Sequence, residues 1–273
     1  MTIRTIALAL FEKSECAWLT PLACEMARIF DAHLNGIHPL RPIPVYFDSD
    51  GNITYMQALR DIRSDETREI EKTFEDAARR TDIRGEFRSQ PDTIHAEEAF
   101  LLSAIRGADV IVTAPVAKSG DATTNSVKRT LIRSAGRPVL LLPEKAAMSA
   151  APDRILVGWS DTREATRAAH DVLTLAAPGA SIDLLSMDDE DGFLDSREDF
   201  AVALDRLGYR ATLVDRRAPA RERGETLLEV AQERDAQIVA TGAFGHSQVY
   251  DFVIGAVTNY LLENVRLPVL LSK

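Results

Sequence analysis

Three glycines and their neighbours are the part of this sequence best suited to chemistry. In TGAFGHSQVYDFVIGAVTN, Thr241 to Asn259, two residues separate Gly242 from Gly245 and nine separate Gly245 from Gly255. Glycine costs backbone entropy on folding, so three at such places need a reason. The run IVATG that leads into them is strand-like, and in open α/β sheets ligands bind beyond the carboxyl ends of strands. Gly242 would let the chain leave the strand sharply, and Gly245 would let backbone approach a ligand. Gly255 falls where the next helix begins. There the amides of Ala256, Val257 and Thr258 would point at an anion, because helix N-termini carry unpaired N–H groups and partial positive charge. A strand–loop–helix connection with three convenient glycines accounts for the spacing equally well.

Other nucleotide and catalytic signatures are absent. The first strands of the two halves are followed by EKSE and SDTRE, where a dinucleotide fold would place G-x-G-x-x-G. The sequence contains no G-x-x-x-x-G-K-[ST], no G-x-S-x-G elbow, and no His/Cys/Asp/Glu cluster at metal-ligand spacing. The acidic run DDED, residues 188–191, reads as a solvated loop.

The elements that must position the glycines are written twice. ADVIVTA (108–114) followed by RPVLLLP (137–143) recurs as AQIVATG (236–242) followed by LPVLLSK (267–273). The preceding segments run in parallel. Apolar strands at 5–11 and 154–159 lead into helices from Ser14 to about Ala32 and from Thr162 to about Ala176. Strands at 33–39 and 181–187 lead into helices at 55–80 and 195–207. Strands at 83–89 and 209–215 lead into helices at 95–106 and 223–234. Fourth helices, at 124–135 and 252–265, lead into the last strands. Such alternation specifies parallel sheets with helices on both faces. The chain therefore reads as two tandem five-stranded α/β units, residues 1–145 and 152–273. The link between them, EKAAMSAAPD, is small and polar and contains proline. The charged helix around 62–80 reads as a largely solvated face with i,i+4 pairs.

Placed in this frame, G-x2-G-x9-G between a fourth strand and a fourth helix resembles the nucleotide-binding motif of the universal stress protein family. RILVGWSDTREATRAA resembles that family's first strand and helix, and the duplication resembles its tandem members, in which two units form an internal pseudo-dimer. The resemblance covers nearly the whole chain. It implies a Rossmann-like sandwich, a role in stress response, and a site for ATP, ADP or AMP, with Mg2+ able to offset charge. The implied site residues are Trp159, Ser160, Asp161, Met187, Thr241, Gly242, Gly245, His246, Gly255, Ala256, Val257 and Thr258. Gly242, Gly245 and Gly255 would shape the phosphate loop, and Ser160 and the end of its strand would approach the ribose or base. Met187 would border the adenine, while Trp159 fits a core position or an adenine border.

This sequence departs from the family pattern at two positions. Ala256 stands where the family has Ser or Thr, and losing a hydroxyl to a charged phosphate removes roughly 1.5–3 kcal/mol. Thr258 is the nearest substitute. Ser160 stands where ATP-binding members carry Asp. In the first half Ala114 replaces the first glycine, and Lys118, Ser119 and Ser126 are the remaining polar groups, so that half reads as a packing partner without a site. No residue is placed to activate water, so no ATPase activity is assigned. The related adenine nucleotide α hydrolase chemistry needs an S-G-G-x-D-S loop that neither half has. The rival reading is a ligand-free pseudo-dimeric scaffold that binds a partner protein.

Composition narrows the partners. Of 273 residues, 45% are hydrophobic and 27% charged, a globular balance, and net charge is −10. Nucleic-acid binding favours a basic surface, so it is not expected. Residues 1–145 hold 19 Lys/Arg against 21 Asp/Glu, and residues 146–273 hold 13 against 21. No Lys or Arg lies between Asp235 and Leu262, so charge near the glycines does not favour a bare polyphosphate. No apolar run reaches the ~18 residues of a membrane span, and the N-terminus reads as a strand, so a cytoplasmic protein without membrane partners is expected. Cys16 and Cys24 lie in one helix roughly 12 Å apart. That is too far for a disulfide, so buried free thiols are expected. A homodimer is compatible with the sequence.

Overall fold

Strands and helices alternate throughout the computed structural model of the chain. It describes residues 3–40, 56–90, 97–116, 121–187, 196–245 and 255–273, with residues 56–60 as backbone alone. The first half contains β1 (Thr5–Ala9), α1 (Lys13–Phe30), β2 (His33–His38), α2 (Met56–Thr81), β3 (Gly85–Ser89), α3 (Glu97–Ala104), β4 (Val110–Thr113), α4 (Ala122–Ser134) and β5 (Val139–Leu141). The second contains β6 (Arg154–Trp159), α5 (Arg163–Val172), β7 (Ser181–Ser186), α6 (Ser196–Arg206), β8 (Arg210–Asp215), α7 (Arg223–Glu233), β9 (Ile238–Gly242), α8 (Ala256–Asn264) and β10 (Val269–Ser272). The helix expected to reach about Ala176 is shorter, because successive turns replace it after Val172. The DDED run, Lys118, Ser119, His246 and the rest of HSQVYDFVI lie outside the described residues.

All ten strands form one sheet, in the order β3-β2-β1-β4-β5-β10-β9-β6-β7-β8. Neighbours within each half run parallel, and the halves meet where β10 pairs antiparallel with β5, Leu270 opposite Leu140. The mirrored strand order is that of an internal pseudo-dimer, with corresponding strands equidistant from the junction.

Central strands are apolar along their length because helices cover both sheet faces. Alternation sends Ile155, Val157 and Trp159 of β6 into one apolar cluster and Leu156 into the other. The edge strand β3 is mostly exposed and carries Glu86 and Arg88, which discourages edge-to-edge pairing. The charged helix α2 is less solvated than its composition suggests. It buries Ile70, Phe74, Ala77 and Ala78, and its ion pairs Arg68–Asp65 and Arg79–Asp76 run i,i+3. The Phe74 ring fits because position 36 is glycine: a methyl group there would lie 2.8 Å from the ring.

Cys16 and Cys24 are buried free thiols on α1, and burial is the largest cause pushing the Cys16 thiol up to about 12. Among the described residues, no helix is long and apolar enough to cross a membrane.

Candidate functional site

The glycine-rich segment starts where the sheet opens to solvent. β6 lies between β9 and β7, with Gly158 opposite Thr241 on one side and Leu185 on the other. The carboxyl ends of three parallel strands therefore bring Ser160, Gly242 and Met187 to one edge, the usual place for a ligand in this type of sheet.

Each predicted residue except His246, which lies outside the described residues, has a definite place there. Gly242 packs against the start of α5: a methyl group on it would lie 2.7 Å from the Ala165 amide nitrogen and 2.8 Å from the Glu164 carbonyl carbon. Its small size is a packing requirement between β9 and α5. Gly245 has looser surroundings, its nearest neighbour being Glu164 Oε2, 3.5 Å from the position of an added methyl. Thr241 is buried, its Oγ1 against Gly158. Trp159 is buried, stacked on Phe200 with centroids 5.0 Å apart, in the cluster on the face opposite Met187, Ala243 and Phe244. Trp159 is thereby a core residue, and Met187 alone of the two shares the face of the loop. Ser160 Oγ hydrogen-bonds with Thr162 Oγ1 at 3.2 Å, and Thr162 caps α5. Asp161 is exposed.

Gly255 is the N-cap of α8 at φ +87°, a left-handed conformation that glycine adopts without strain. A methyl group there would lie 3.0 Å from the Phe244 ring. Among the described residues, no side chain caps α8. Among the described residues, none accepts a hydrogen bond from the amides of Ala256, Val257 or Thr258, the first of which is the half-buried alanine that lacks the family's hydroxyl. The Thr258 side chain is buried, and its hydroxyl oxygen accepts the Phe244 amide at 3.2 Å.

Two groups that spacing did not reveal shape the charge of the site. Glu164, on the first turn of α5, is buried and holds a carboxylate beside Gly245. Burial alone would raise its pKa, but the Arg163 Nε–H donated at 2.7 Å, a backbone hydrogen bond and the charges of Arg163 and Lys273 outweigh burial and hold it below the usual carboxylate range. The second is a pair of cations. Lys273 Nζ donates to the Phe244 carbonyl at 3.2 Å, and the Arg133 guanidinium, from the first half, lies 4.2 Å from the Phe244 ring centroid. The absence of Lys and Arg from residues 236–261 is therefore offset by side chains from elsewhere in the fold.

The first half shows what the same place looks like when filled. Lys128, at the repeat position of Thr258, is buried and donates to Glu15 Oε2 at 2.7 Å. Glu15, at the repeat position of Glu164, also accepts the amides of Phe11 and Glu12 at 2.5 and 3.3 Å. The N-terminus of α4 is closed by Asp121, whose carboxylate accepts the Thr124 amide at 2.9 Å. An internal ion pair and an internal anion thus occupy the first half. In the second half, α8 has no side-chain cap among the described residues. Among the described residues, no three His, Cys, Asp or Glu side chains group as metal ligands.

Residues 152–273 match the universal stress protein family. The chain thus carries a universal stress protein domain. The whole chain shares its fold with a universal stress protein from Archaeoglobus fulgidus DSM 4304, with a TM-score of 0.69, 15% identity, and coverage of 98% of this chain and 96% of that one. It also resembles a functionally unknown protein from Pseudomonas aeruginosa PAO1, with a TM-score of 0.58, 16% identity, and coverage of 99% and 92%. A universal stress protein from Archaeoglobus fulgidus, solved in complex with dAMP, covers 51% of this chain and 97% of its own at a TM-score of 0.35 and 18% identity. No curated protein matches the sequence significantly. The family match falls on the half whose glycine motif is intact.

Proposed function

We propose that the protein is a tandem universal stress protein that binds an adenine nucleotide in its C-terminal half and acts in the cytoplasmic stress response. The observation that carries this reading is the contrast between the starts of the two corresponding helices, α8 beginning about one turn later in the repeat than α4. The α4 N-terminus is closed by the Asp121 carboxylate, whereas among the described residues no side chain caps α8 at Gly255 and none accepts from its first three amides. Phosphates fit such an end because the amides point outward and the helix dipole favours negative charge. In this reading Gly245, Gly255 and the amides of Ala256 to Thr258 receive the phosphates, and Ser160 and Met187 border the nucleoside. Mg2+ bound with the phosphates would reduce repulsion from Glu164.

A second reading has its own observation. The buried Glu164 carboxylate beside Gly245 and the Phe244 ring against Gly255 favour a scaffold that holds no nucleotide and binds a protein. Mass spectrometry of nucleotide released from purified protein, followed by calorimetry with Mg-ATP, separates the two. Nucleotide release or saturable heat supports the first reading. No release and no heat at millimolar ATP leaves the scaffold.

A further inference from the structure

The halves exchange contacts around the two strand-to-helix loops. The Val116 amide, after β4, donates to the Leu262 carbonyl on α8 at 2.8 Å. In the mirror arrangement, Phe244, after β9, lies beneath Arg133 on α4. The two repeats differ in the charge brought across. Arg133 corresponds in the repeat to Glu263, so the two matching helix positions carry opposite charge. Glu263 is neutralised by Arg129, which also donates to Asn259 Oδ1 at 2.6 Å. Among the described residues, no carboxylate pairs with Arg133.

We propose that Arg133 of the N-terminal half is a phosphate-binding residue of the C-terminal site, which makes that site a composite of both halves. This rests on the nucleotide reading above. Phe244 directly precedes Gly245, and one ring links the two parts: Arg133 over it, and Gly255, the N-cap of α8, against it. The ring is fixed because Phe244 is buried at φ 51°, its amide donating to Thr258 Oγ1 and its carbonyl accepting from Lys273. A guanidinium held over an aromatic ring keeps N–H donors for a phosphate, and the pairing lowers the entropy lost on binding. Lys273 is less available, since its charge already acts on Glu164. Arg133 is exposed and, among the described residues, has no such obligation. Ligand binding would then fasten α4 to the loop after β9 and couple the two halves.

The test is calorimetry of wild type, Arg133→Met and Arg133→Lys with Mg-ATP, tripolyphosphate and adenosine, at low and high salt. Methionine retains the apolar contact with Phe244, and lysine retains the charge. The expected result is Mg-ATP and tripolyphosphate binding weakened about tenfold or more in Arg133→Met. Adenosine binding should be unchanged, and Arg133→Lys should be intermediate. The salt dependence of Mg-ATP binding should be shallower in Arg133→Met than in wild type. Arg133→Met binding Mg-ATP as tightly as wild type overturns this inference and leaves the nucleotide reading intact. Loss of adenosine binding by the same factor as Mg-ATP also overturns it, since it marks a structural role. Wild type binding none of the three probes overturns both.

Discussion

Replacing Lys128 with methionine should destabilise the protein far more than its place in the half without a site suggests. The Lys128 and Glu15 side chains are only 5% and 8% exposed, and their charged atoms lie 2.7 Å apart. The ammonium also reaches the Pro115 carbonyl at 3.3 Å and lies 5.2 Å from the Phe11 ring centroid. Without it, a buried carboxylate keeps only the amides of Phe11 and Glu12. Breaking a buried pair from one side costs about 3–5 kcal/mol, because the charge left behind is uncompensated. At roughly 2–4 °C per kcal/mol for a protein of this size, the melting temperature falls on the order of 10 °C. The double variant Glu15→Gln/Lys128→Met should recover most of the loss, since glutamine still accepts both amides and no charge remains buried. Urea unfolding of wild type, both single variants and the double variant gives the coupling energy directly. A loss under about 1 kcal/mol in Lys128→Met, or single effects that simply add, would refute the argument that these residues act as a buried unit.

Three further outcomes follow from the geometry. Gly242→Ala should cost about 1–3 kcal/mol in denaturant unfolding, because its methyl would meet the backbone of α5 at 2.7 Å; stability equal to wild type would show that α5 has room to shift. Glu164→Gln should be less stable than wild type at neutral pH, and the gap should close in acid. The native carboxyl is held below its unfolded value, so its stabilisation is present above the unfolded pKa and lost as pH falls through the folded one; a gap that persists unchanged in acid would contradict this. Cys16 and Cys24 should resist a thiol-directed reagent at pH 8 in the native state and both react after unfolding, since both are buried and raised in pKa; rapid native labelling would contradict their burial.

The fold was legible because its causes are local. Apolar runs such as TIALA and RILVGW bounded by amphipathic stretches read as parallel strands and helices, and the repeat of IVTA and IVATG placed the halves in register. The antiparallel pairing of β5 with β10, which joins the halves in one sheet, was not legible in any residue pattern in PVLLL. The glycine motif was legible as spacing, but the function of each glycine was not. Gly255 does start α8, as its spacing suggests, whereas Gly242 is glycine because α5 packs against it, a contact 78 residues away in sequence. The Glu15–Lys128 pair, 113 residues apart, depends on how the first half folds back on itself, and the reach of Arg133 to Phe244 on how the two halves meet. A signal for the first existed: Glu15 and Glu164 occupy the same repeat position, where a buried acid needs a partner. For Trp159, propensity alone left core and ligand border open, and the strand alternation that sends it to the face of Phe200 decides for the core.

The central claim is that the open end of α8, and not its capped counterpart on α4, receives a phosphate. Amide chemical shifts in a nitrogen-15 labelled sample titrated with Mg-ATP test it residue by residue. The account predicts saturable shifts at Ala256, Val257 and Thr258, with Thr124 and Asn125 unmoved. Saturation without movement at the α8 amides, or equal movement at the start of α4, would contradict it.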